Sequence, residues 1–81
     1  MHLRTRKQKI GDKNLIGEKI TCLREKQDMT QKQLMSKMQV LGVDISYSGL
    51  SKLEGQTRQV TDKELVVLAK IFGITPNDLL K

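Results

Sequence analysis

Tyr47, Ser48, Ser51 and Lys52 are three hydroxyls and one cation spaced i, i+1, i+4 and i+5. On a 3.6-residue wheel they share one side of a helix, and Gly49, Leu50 and Leu53 share the other. Their chemistry is recognition by short-reach hydrogen bonds rather than turnover. A major groove about 12 Å wide admits a helix, and Ser, Tyr and Lys side chains bond base edges or phosphates there. Catalysis has no comparable candidates. His2 is the single histidine and Cys22 the single cysteine, so no zinc set and no intramolecular disulfide can be assembled. No nucleophile–base pair and no glycine-rich phosphate loop occurs, so the chain is expected to be neither an enzyme nor a cofactor binder.

The elements that must position this row are helical. The chain has 81 residues, enough for one small core, and its aromatics are limited to Tyr47 and Phe72. The core must then come from Leu, Ile, Val and Met, which suits packed helices. Ile16, Ile20 and Leu23 fall at i, i+4 and i+7, which predicts a first helix over Leu15–Gln27 capped by Asn14. Thr30-x-x-Gln33 is a capping box opening a second helix with Leu34, Met38 and Leu41 as its apolar stripe and Gly42 just past its end. After a turn through Val43, Asp44 and Ile45, Ser46 caps a third helix, Tyr47–Glu54, closed by Gly55. Thr61-x-x-Glu64 opens a fourth helix with Leu65, Leu68, Ala69 and Phe72 as its stripe. Val66, Val67 and Ile71 widen that stripe, which predicts a helix buried on several sides and closed by Gly73. Thr75-Pro76 opens a short fifth helix ending in Leu79 and Leu80. The expected fold is all-α, with five helices and no strands.

The formal net charge is +6, of which +4 falls in residues 1–13 through Arg4, Arg6, Lys7, Lys9 and Lys13 against Asp12. This segment is expected to be a flexible basic arm able to meet a polyanion, with the helical domain spanning residues 14–81. No apolar run has the length of a signal peptide core or a membrane span, so a cytoplasmic protein without a membrane partner is expected.

Three stretches carry a family resemblance: IGEKITCLREKQDMTQKQL (16–34), SGLSKLEG (48–55) and ELVVLAKIFGITPNDLL (64–80). In combination, the L-R-E-x-x-x-M-T-Q-x-x-L start and the L-A-K-x-F-G-I close are similar to the lambda-repressor and Cro type of helix-turn-helix domain, the XRE family. The resemblance implies a five-helix bundle in which helix three enters the major groove and helix two lies across the backbone. It implies that Tyr47, Ser48, Ser51 and Lys52, with Ser46 at the start of the helix, form the DNA-reading set. It implies that Gln31 and Arg58 meet phosphates, and that Arg24 and Glu54 form an internal salt bridge. Double-stranded DNA is the expected partner, bound by a homodimer, with no small-molecule effector. The expected role is sequence-specific transcriptional regulation, as a repressor. Two other readings stand beside it: an antitoxin-type interaction module in which DNA binding is secondary, and a non-specific nucleic-acid binder dominated by the arm.

This chain departs from the family pattern in three places. Eleven residues separate Met38 from Leu50, so helix two must extend or the turn must loop outward through Val40–Ile45. Met35 stands where the family has alanine, and Gly49 is expected to give up volume for it. Gly55-Gln56 replaces the usual Asn-Gly after helix three.

Overall fold

In the computed structural model, which describes residues 10–81, the threonine-based start signals become capping boxes. At Thr30, Thr61 and Thr75 the hydroxyl accepts from the backbone N–H three residues on, and the side chain there accepts from the threonine N–H. Ser46 caps more simply, its Oγ accepting from the Gly49 N–H at 2.9 Å. The helices are α1 (Gly17–Lys26), α2 (Gln31–Val40), α3 (Tyr47–Glu54), α4 (Asp62–Phe72) and α5 (Pro76–Leu80). The described residues contain no strand, as the periodicity predicts.

Helix α1 begins two residues later than its periodicity suggests. Asn14 does accept from nearby backbone, its Oδ1 taking the Ile16 and Gly17 N–H groups at 3.1 and 2.8 Å. Its amide, however, is committed elsewhere, donating to the Leu53 and Arg58 carbonyls at 3.1 and 2.8 Å. Asn14 thus anchors the chain to the end of α3, and Leu15 and Ile16 form a bend before the helix. Ile16 is buried there while Leu15 is 77% exposed.

Four helices end in the same way. The N–H of the residue after a left-handed position reaches five residues back, and the N–H of the left-handed residue itself reaches three back. Val43 N to Met38 O (2.9 Å) and Gly42 N to Gln39 O (3.0 Å) close α2 in this manner. The left-handed residues are Asp28 (φ 53°), Gly42 (92°), Gln56 (59°) and Gly73 (70°). This Schellman geometry satisfies carbonyls that the helix leaves open.

The core gathers Ile16, Ile20, Leu34, Met38, Leu50, Leu53, Leu68, Phe72 and Leu79. Helix α3 packs on α1 and α2, α2 also meets α4, and α4 meets α5. Leu41 departs from its expected place on the α2 stripe and is 41% exposed. Helix α2 stops at Val40, so the helical register that would carry Leu41 inward no longer applies. On α4, Val67 joins the core, but Val66 is 51% exposed, so this helix keeps one solvent face.

Of the two courses expected for the long turn between α2 and α3, extension of helix two is observed and looping outward is not. Helix α2 runs a full ten residues, and the rest of the turn folds back rather than outward. Val43 and Ile45 are half-buried against the core while Asp44 between them faces solvent. This alternation brings the chain back under α3. Gly49 therefore serves Ile45 rather than Met35: a Cβ there would lie 3.2 Å from Ile45 Cγ1 and 3.1 Å from Ser46 Oγ. Met35 finds its own half-buried place against the core.

Candidate nucleic-acid interface

The inner face of α3 is sealed. Leu50 and Leu53 are fully buried and Glu54 is 3% exposed. The outer face is open: Ser46, Tyr47, Ser48, Ser51 and Lys52 are all exposed, Tyr47 to 61%. The wheel and the structure agree on this division because eight residues allow only two turns, and two leucines three apart fix which side is in. The result is a convex ridge carrying three hydroxyls beyond the cap, one ring and one ammonium. Such a ridge can donate to and accept from base edges and can meet a phosphate with Lys52.

The C-terminal half of α3 is held by a polar cluster. Arg24 donates from Nε to Glu54 Oε2 at 2.9 Å and from Nη2 to Oε1 at 3.1 Å, and from Nη1 to the Met29 carbonyl at 2.8 Å. The expected α1–α3 ion pair is therefore present, with side chains only 12% and 5% exposed. Gln31, the first residue of α2, joins it by donating from Nε2 to Glu54 Oε1 at 2.9 Å. Its side chain thus ties α2 to α3, and the second hydrogen of its amide has no partner among the described residues. Lys32 beside it is exposed and has no ion pair among the described residues.

Arg58, which the resemblance implies meets a phosphate, makes internal hydrogen bonds in the structure. Its Nε donates to the Gly49 carbonyl of α3 at 3.0 Å, and Nη1 donates to the Gln59 carbonyl. Its fork meets Glu64, Nη1 to Oε1 at 3.0 Å and Nη2 to Oε2 at 2.8 Å. Four hydrogen bonds are thus internal, against the five N–H groups a guanidinium has. Burial pushes the Glu64 carboxyl up, but the hydrogen bond from Arg58, the Thr61 N–H, the Arg58 charge and the Thr61 hydroxyl outweigh it and hold the group below its ordinary value.

Two structural residues, Gln56 and Gly17, had no signal in spacing or periodicity. Gln56 accepts from the Glu18 N–H at 3.0 Å and donates to the Gly11 and Asn14 carbonyls at 3.2 and 2.8 Å. With Asn14 it clasps the start of the domain to the exit of α3. Gly11 N to Gly55 O and Lys13 N to Gln56 O, both 2.9 Å, complete the clasp. Residues 10–13 of the basic segment are therefore docked, and its cations Arg4, Arg6, Lys7 and Lys9 lie outside the described residues. Gly17 permits this approach, because a Cβ there would sit 2.2 Å from the Leu53 carbonyl oxygen. Such clasps depend on long-range proximity, which one sequence does not display.

No described helix is long and apolar enough to cross a membrane. Comparison with curated proteins and with solved structures finds no match. Residues 19–81 match the Cro/C1-type HTH DNA-binding domain, which covers α2, α3, α4, α5 and all but the first two residues of α1. The helix order, the buried apolar face of α3 and its open polar ridge accord with that match, and the chain belongs to the Cro/C1-type helix-turn-helix DNA-binding family.

Proposed function

We propose that this protein is a sequence-specific double-stranded-DNA-binding regulator of transcription, acting as a repressor by occupying its site. The observation that carries the reading is the ridge of α3. Ser46, Tyr47, Ser48, Ser51 and Lys52 are exposed together on a helix whose other side is sealed into the core. In this reading α3 lies in the major groove with these side chains toward base edges, and α2 lies across the sugar-phosphate backbone. The free amide hydrogen of Gln31 and its neighbour Lys32 face a phosphate there. The basic segment before residue 10 adds sequence-independent attraction, which salt weakens. The domain acts as a homodimer on a two-fold site, since one α3 reads only a few base pairs.

A selection from random duplex DNA tests this reading. A defined preferred site is the expected result, and enrichment of no sequence would overturn it. Ser48→Ala and Lys52→Ala should each relax preference at particular base pairs, costing about 1–3 kcal/mol for each bidentate pair removed.

A further inference from the structure

The two halves of α3 are held by different means. The C-terminal half is tied from outside by Arg24 and Gln31 on Glu54 and by Asn14 on the Leu53 carbonyl. In the N-terminal half, the Ser46 cap is made to Gly49 and so lies within the helix itself. Among the described residues, a single hydrogen bond reaches this half from outside α3: Arg58 Nε to the Gly49 carbonyl, 3.0 Å. Ser48 immediately precedes Gly49 and Tyr47 lies two residues before it, and these are half of the row Tyr47, Ser48, Ser51 and Lys52.

The other end of Arg58 is equally fixed. Its fork grips Glu64, the third residue of α4, which also accepts from the Thr61 N–H at 2.9 Å in the capping box of that helix. The side chains of the pair are 25% and 11% exposed. One planar guanidinium thus spans from a carbonyl of α3 to the first turn of α4. A planar fork with fixed donor directions transmits orientation in a way a flexible ammonium does not.

We propose that Arg58 is a positioning residue for base reading: acting through Gly49 and Glu64, it sets how the first turn of α3 is aimed and does not itself bind phosphate. The inference rests on α3 being the base-reading helix. Recognition of this kind requires reading groups held within about 0.5 Å of their productive place, so a loosened first turn costs discrimination before it costs attraction.

The test measures binding of wild type, Arg58→Lys and Glu64→Gln to a preferred and a scrambled duplex over a range of salt concentrations. Lysine keeps the charge and can still reach a phosphate, but it lacks the fork. Glutamine at position 64 keeps an acceptor for the Thr61 N–H, so the α4 cap survives, and it removes a negative charge. Circular dichroism and the melting temperature establish that each variant is folded in the assay; Glu64→Gln carries the test if Arg58→Lys does not fold.

Both variants are expected to lose roughly tenfold in the ratio of preferred to scrambled binding, with the salt slope unchanged. A phosphate-binding Arg58 predicts the opposite pattern. Glu64→Gln would then free a cation and tighten both duplexes, Arg58→Lys would keep the ratio, and Arg58→Gln, measured beside them, would lower the salt slope by about one. Any of these results overturns the positioning role. A wild-type protein without preference overturns the base-reading assignment itself, which is distinct from variants that match a discriminating wild type.

Discussion

Arg24 and Glu54 meet across the α1–α3 interface with almost no water, their side chains being 12% and 5% exposed. Glu54 accepts two bonds from Arg24 and one from Gln31, so one carboxylate joins the first three helices. Charges in such a place are held by geometry, and removing one partner leaves the other desolvated and unpaired. Arg24→Ala should therefore destabilise the domain by about 3–5 kcal/mol in urea unfolding, well above a surface substitution. A change under about 1 kcal/mol would mean that water replaces the arginine without cost. Lys52 is the opposite case at the residue scale. It is exposed and has no ion pair among the described residues, whereas Arg24 and Arg58 commit their guanidinium groups inside the protein.

The helix ends show how elements are joined under different constraints. Gly42 and Gly73 occupy left-handed positions where no Cβ is present to clash, but Asp28 and Gln56 adopt the same region with side chains. Asp28 is exposed, and its side chain makes no hydrogen bond among the described residues that would offset its left-handed backbone. Asp28→Gly should accordingly raise stability by roughly 0.5–1 kcal/mol. Gln56 occupies the same conformation for a reason. Its side chain makes three hydrogen bonds that tie Glu18, Gly11 and Asn14 to the end of α3. Gln56→Gly should lower the melting temperature despite the better backbone, because about 1 kcal/mol goes with each of its two partly buried bonds. Opposite signs for the same substitution at two equivalent helix ends are the expected outcome, measured by thermal unfolding. Equal signs would show that the Gln56 clasp contributes nothing.

At the scale of the whole molecule, the backbone of the described residues extends at most 31 Å, less than the roughly 34 Å of one turn of duplex, and carries one α3. A single domain therefore presents one α3 to one groove segment. The selected site is expected to contain two inverted half-sites centred about one turn apart, and sedimentation of the protein with that duplex should give two chains per site. A single asymmetric half-site with one chain bound would contradict this assembly. Much of the architecture was legible in the residues alone. The capping boxes at Thr30 and Thr61, the Thr75-Pro76 start of α5 and the leucine spacing of α3 are local signals, acting over three or four residues. The open ridge followed from the same spacing, because sealing Leu50 and Leu53 inward leaves Tyr47, Ser48, Ser51 and Lys52 outward. The long turn was not legible, since its return to the core rests on Val43 packing against the core and Ile45 finding room beside Gly49. Nor was the inward turn of Arg58, whose partners Gly49 and Glu64 lie nine and six residues away on different helices. The amino-acid sequence by itself determined the helices, their faces and the family, because short-range hydrogen bonding and periodic burial fix those. Only the tertiary structure decided which polar side chains stay free for a ligand, because that depends on which buried carbonyls and carboxylates packing brings within reach.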